Sequence, residues 1–190
     1  MMMTSTFRRY AAKGFTLIEL LIVVIIIAIL AAIAIPQFSN TSSDAQESAL
    51  DANLSTVRSA VELYRVQHNN KYPSVAVSSG GSDACTTAGG ALGTGAINTD
   101  TAFRNQLTGF SNQAGQTCTV AAAGFIYGPY LRSLPTEPIS SSDALAIVTA
   151  ANAAEPAAVT PGWRFNNVTG KFQANSNAAG RDTARLLSQH

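Results

Sequence analysis

Glu19 carries the strongest chemical signature in this 190-residue chain. It lies inside an apolar run, residues 15–35, in which the only other polar residue is Thr16. A carboxylate left in hydrocarbon costs about 2.5–3.5 kcal/mol on insertion scales, so an acid at membrane depth marks a functional position that needs a cationic partner. Cys85 and Cys118 can be joined as a disulfide or can hold a metal; a cysteine pair with no histidine at ligand spacing is poor support for the metal. His68 and His190 read as solvated, and Asp143 and Asp182 stand too far from other acids to make a calcium loop. There is no nucleophile elbow, no phosphate loop after a strand, no His-Glu-x-x-His and no EF-hand pattern. The chain therefore reads as no enzyme and implies no cofactor.

The element that holds Glu19 is long enough to cross a bilayer, since 21 residues at about 1.5 Å each reach roughly 32 Å. Arg8, Arg9 and Lys13 precede it with no acid among them, which keeps the N-terminus cytoplasmic and sends the remainder across. A secretory signal peptide would have a shorter apolar core, about 7–15 residues, and a small-x-small cleavage site, which Ala28, Ala31, Ala32 and Ala34 imitate. A plain signal anchor is the other competing reading, and Glu19 argues against it.

Lys13-Gly14 followed by Phe15-Thr16-Leu17-Ile18-Glu19 resembles the prepilin processing signal of the type IV pilin and type II secretion pseudopilin family, over about the first 35 residues. The resemblance implies cleavage between Gly14 and Phe15 by a membrane prepilin peptidase, N-methylation of Phe15, and a mature chain of 176 residues once the 14-residue leader is gone. It also implies a homo-oligomeric filament, and an assembly platform protein and ATPase that this chain does not supply.

The residues lead the same way. After cleavage, Phe15 presents a positive α-ammonium at the end of an apolar helix, and Glu19 of a second subunit is an acid near the same depth. Such a pair sets register between helices, because either charge left alone is strongly penalised. The simpler alternative is that Glu19 caps its own first helical turn, where a carboxylate suits the positive end of the helix dipole. Both can hold in one structure.

Pro36 closes the apolar run and is followed by small polar residues that compete for backbone hydrogen bonds, so the helix is expected to be weakest there, with a helix break at Pro36 under assembly. Beyond it, Leu50, Leu54, Val57, Val61 and Tyr64 recur at helical spacing and form one face. This second half, residues 36–70, is expected to end near His68-Asn69-Asn70, before the extended dipeptide ahead of Pro73. The fold expected is α+β and pilin-like: a long N-terminal helix whose first half spans the membrane and whose second half packs on a small antiparallel sheet.

Residues 71–190 read as a periplasmic or extracellular globular domain. Residues 75–119, rich in Gly, Ser, Ala and Thr, read as a long surface loop carrying a short helix at 101–107. Strands are expected at 119–127, 144–149, 162–165 and 171–174, the last two joined through Asn166-Asn167-Val168-Thr169-Gly170. An oxidising compartment permits the bridge Cys85–Cys118, which would clip the long loop. Net charge gives no support to a polyanion partner: 12 basic residues face 11 acidic ones, and the leader carries off three of the basic ones. Arg181 and Arg185 read as a solvated tail and nucleic acid as an improbable partner. Residues 128–135 resemble the connector of many pseudopilins, which favours a type II secretion-like pseudopilus; the alternative is a type IV pilus pilin serving adhesion, twitching motility or DNA uptake. In either case the subunit starts as a single-pass protein of the bacterial inner membrane.

Overall fold

The computed structural model describes residues 14–156, 159–180 and 186–190. The leader up to Lys13, together with Arg181, Asp182 and Arg185, lies outside the described residues. The chain divides into two units, Met1–Ser42 and Ser43–His190. Helix α1, Leu17–Gln67, begins in the first and ends in the second.

In the first unit, Leu17–Ile35 is a helical stretch of 19 residues with mean hydropathy 3.3 and none of it buried. Unbranched and β-branched aliphatics without a glycine keep it helical. The helix runs through Pro36, so no break interrupts the lone subunit there. A proline deletes one intrahelical donor, and the turns on either side hold the helix together.

In the second unit, the α1 face Leu50, Leu54, Val57, Val61 and Tyr64 is buried against Phe103, Leu107, Leu134, Trp163, Phe165, Phe172, Ala174 and Leu187. The helix stops because Asn69 and Asn70 turn left-handed, with φ of 53° and 65°, a conformation that asparagine tolerates better than most side chains. The Asn70 amide donates back to the Arg65 carbonyl at 2.9 Å.

Residues 75–119 carry more regular structure than the surface loop the composition suggests, with most of 75–100 still at the surface. They hold α2 (Ala84–Thr87), α3 (Asp100–Thr108) and a two-stranded antiparallel ribbon of β1 (Phe110–Ser111) and β2 (Thr117–Cys118). Thr99 caps α3 by accepting from the Ala102 amide at 3.2 Å. The small residues misled because glycine serves close approach here: a Cβ on Gly95 would lie 2.3 Å from the Ala102 nitrogen.

The main sheet contains β3 (Leu145–Val148), β4 (Val159–Asn166) and β5 (Phe172–Ser176) in that order. β4 and β5 form the antiparallel hairpin, with Phe165 opposite Phe172, while β3 joins β4 in parallel, with Ile147 opposite Phe165. The strand expected at 119–127 is absent. That segment makes isolated bridges, Ala122 to Phe125 and Ser111 to Tyr127, because Gly124, at φ +87°, folds it into a turn. A smaller cluster of Cys85, Cys118 and Phe125, flanked by Leu92, Phe110, Val120 and Ala122, forms a satellite core.

Candidate processing and assembly segment

Gly14 is exposed, and a Cβ built on it would meet no heavy atom within 4 Å. Among the described residues, nothing packs where a side chain would sit at Gly14. Phe15 next to it is 83% exposed. At the start of α1, the Thr16 amide and hydroxyl both donate to Oε2 of Glu19, at 2.9 and 2.8 Å, and the Glu19 amide donates to Thr16 Oγ1 at 3.3 Å. This reciprocal cap satisfies donors that the first helical turn leaves unpaired. The capping reading of Glu19 therefore holds within one subunit, and Thr16 is its partner. Both contacts fall on one carboxylate oxygen, so the cap does not by itself consume the group.

Below the cap, Ile18 to Ile35 present large aliphatic side chains outward on every side of the helix; Ile33 is 70% exposed. A helix apolar all round is stable only in lipid or among other helices. The segment thus combines an unencumbered Gly-Phe peptide, a capped carboxylate and an apolar cylinder. That arrangement suits membrane anchoring and helix-on-helix association.

Away from this segment, Cys85 and Cys118 are bonded to each other and buried. His68, read from the sequence as solvated, is instead only 1% exposed. It extends the α1 stripe by one more turn, a continuation of the 50–64 spacing that could have revealed it. Its ring stacks on Tyr64 with centroids 3.7 Å apart and meets Tyr127 edge-on. Nδ1 lies 2.9 Å from the Tyr64 carbonyl, so it must carry the proton and donate; Nε2 then accepts from the Ser111 hydroxyl at 3.0 Å. Burial holds the imidazole below its usual pKa, and burial likewise pushes the Tyr130 phenol up to about 12. His190 is not solvated either: its Nδ1 lies 2.9 Å from Asp51 Oδ1, and Arg58 donates to its backbone oxygen at 2.9 Å. Asp143 is occupied by Arg104, at 3.3 Å.

Three buried polar residues gave no signal in the sequence. Gln106 accepts from the Ser74 amide at 2.7 Å and donates to the carbonyls of Ala76 and Gly115 at 3.0 and 2.9 Å. Asn167 donates to Ser74 Oγ and Asn98 Oδ1 at 3.1 and 2.7 Å. Glu137 accepts from the amides of Ile139 and Ser140 at 2.9 and 2.6 Å. Each is satisfied by backbone or neighbouring side chains, which marks them as organisers of loops.

Residues 9–35 match the family model described as the prokaryotic N-terminal methylation motif. Over 56 residues the chain is 52% identical to the type IV narrow pilus major component of Thermus thermophilus, covering 30% of this chain and 48% of that protein. It is 56% identical over 50 residues to a type IV major fimbrial protein of Dichelobacter nodosus, covering 26% of this chain and 32% of the relative. Over 65 residues it is 31% identical to the type II secretion system core protein G of Pectobacterium carotovorum subsp. carotovorum, covering 34% of this chain and 41% of the relative. The chain thus spans less than half the length of these relatives that it matches. No solved structure matches the chain significantly. Residues 9–35, which include Gly14, Phe15 and Glu19, match the methylation motif, and the N-terminal segment is similar to those of type IV pilins and of type II secretion system core protein G.

Proposed function

We propose that the chain is a structural subunit of a type IV filament-type machine, made as an inner-membrane precursor with its C-terminal domain in the periplasm. A prepilin peptidase cleaves between Gly14 and Phe15, and Phe15 is N-methylated. The mature subunit then moves from lipid into a helix bundle, where its apolar cylinder is covered by neighbouring copies. Glu19 pairs there with the α-ammonium of Phe15 of another copy while Thr16 keeps its hold on the carboxylate. The observation that carries this reading is the fully exposed apolar helix that begins on the Thr16–Glu19 cap, inside the matched methylation motif. A platform protein and an ATPase would drive extraction.

Of the two machines, a type II secretion-like pseudopilus is favoured by the connector at residues 128–135, which is anchored by two amides, Tyr130 and Leu131, donating to the Leu107 carbonyl at 2.9 Å each. A surface pilus is favoured by the disulfide-clipped segment. Shearing cells and sequencing the N-terminus of the chain in the sheared and envelope fractions tests both levels. A methylated Phe15 start is expected, and an unprocessed Met1 start throughout would overturn the reading. Recovery from sheared filaments identifies a pilus, whereas retention in the envelope with loss of enzyme export on deletion identifies a pseudopilus.

A further inference from the structure

A cleft of about 240 Å³ opens between the rim at residues 91–94, the end of α3 and strand β2. Among the described residues, no charged side chain lines it. Three of its polar side chains, Asn105, Thr108 and Thr119, are oriented by internal bonds that leave a free half. Thr108 Oγ1 donates to the Arg104 carbonyl at 2.9 Å and so keeps lone pairs to accept with. Thr119 Oγ1 accepts from the Ala91 amide at 2.9 Å and so keeps its proton to donate. Asn105 donates through Nδ2 to Ser78 Oγ at 3.1 Å, and Ser78 Oγ also accepts from the Gly95 amide at 2.8 Å; this orientation leaves Asn105 Oδ1 as an acceptor. Thr94, exposed on the rim, adds a hydroxyl, and Leu92, half-buried in the satellite core, adds an apolar edge.

The rim is held in advance. The Gly93 amide donates to the Thr117 carbonyl at 2.9 Å, and the Thr119 amide to the Ala91 carbonyl at 3.0 Å. Gly90 sits against the disulfide so closely that a Cβ there would lie 2.7 Å from the Cys118 sulfur. A preformed rim spares a ligand the ordering cost that usually weakens binding. A charged ligand would lose water here without gaining a counter-charge, and a purely apolar one would strand the polar groups. The volume is below the about 300 Å³ at which drug-sized sites begin.

We propose that this cleft binds a neutral, hydroxyl-rich ligand of the size of one sugar ring, whose hydroxyls meet Thr94, Asn105, Thr108 and Thr119 while its C–H face lies on Leu92. The proposal does not rest on the subunit's role in a filament, and its test is read on the unassembled chain. The test is saturation-transfer NMR on the full chain in lauryldimethylamine oxide, a detergent without a sugar headgroup, with D-glucose, D-galactose, D-mannose and N-acetyl-D-glucosamine as probes and N-acetylneuraminate as the charged comparator. At least one neutral sugar should receive saturation and the comparator none. Thr94→Leu, at an exposed site, and Thr119→Leu should each weaken that binding at least tenfold, whereas Thr119→Ser, which keeps the hydroxyl, should retain it. Silence from every neutral sugar, equal transfer to the charged comparator, or binding that survives both leucine variants would overturn the proposal.

Discussion

At the scale of single residues, the N-terminal chemistry depends on what each group is free to do. Gly14 has open space where a Cβ would sit, so Gly14→Val leaves the subunit's fold intact and burdens only an enzyme that must approach the backbone closely. The expected outcome is full-length precursor retained in the membrane, read by immunoblot and N-terminal sequencing; normal protein starting at Phe15 would contradict it. His68 makes a second residue-scale prediction. Its folded pKa lies below its unfolded value of about 6.5, because burial disfavours the charged ring. In the pH window between those two values the unfolded chain binds more protons, so the contribution of His68 to stability is present above about 6.5 and is lost as pH falls toward the lowered folded value. Urea midpoints of the detergent-solubilised chain should therefore decline from pH 7.5 to pH 5, and His68→Gln should flatten that decline. An unchanged slope in the variant would show that other groups set the acid sensitivity.

Among the elements, helices were far more legible than strands. The 50–64 spacing picks out side chains that are buried, because a helical period recorded over several turns is a local signal. The short helix at 101–107 is found as α3, Asp100–Thr108. The strands at 144–149, 162–165 and 171–174 correspond to β3, β4 and β5 with shifted ends, whereas the parallel alignment of β3 depends on a distant partner and leaves no local mark. The remainder of 75–119 was illegible for a different reason: glycines there admit neighbouring backbone and composition alone reads them as loop, while the hydrogen bonds of Gln106 to Ser74, Ala76 and Gly115 leave no mark on the helical pattern of α3. Two positions test these elements. Gly170, at φ +76°, would put a Cβ 2.3 Å from the Tyr72 ring, so Gly170→Ala should destabilise the β4–β5 hairpin by about 1–3 kcal/mol, read as a lowered urea midpoint. The disulfide closes a separation of 33 residues, worth about 3–4 kcal/mol by chain entropy. Cys85→Ala with Cys118→Ala should therefore speed amide exchange in the satellite core around Phe125 more than along Leu54 to Val61. Equal acceleration in both regions would mean that the two cores unfold as one.

For the whole molecule, the proposed processing and assembly segment was the most legible part, since the roles proposed for Gly14, Phe15 and Glu19 rest on residue type and spacing. The sequence carried much less of the globular unit, where His68 turned out to be buried and Asn167 and Glu137 gave no warning. The filament reading rests on Glu19 having two duties, a cap inside one subunit and a counter-charge between subunits. Glu19→Val removes a carboxylate from membrane depth, so insertion and cleavage should persist, while the Phe15 ammonium left without a partner should block packing into a filament. Membrane fractionation paired with electron microscopy of the same cells reads both steps. Processed Glu19→Val subunit in the membrane with no filaments is the predicted result; filaments at wild-type yield would contradict the pairing.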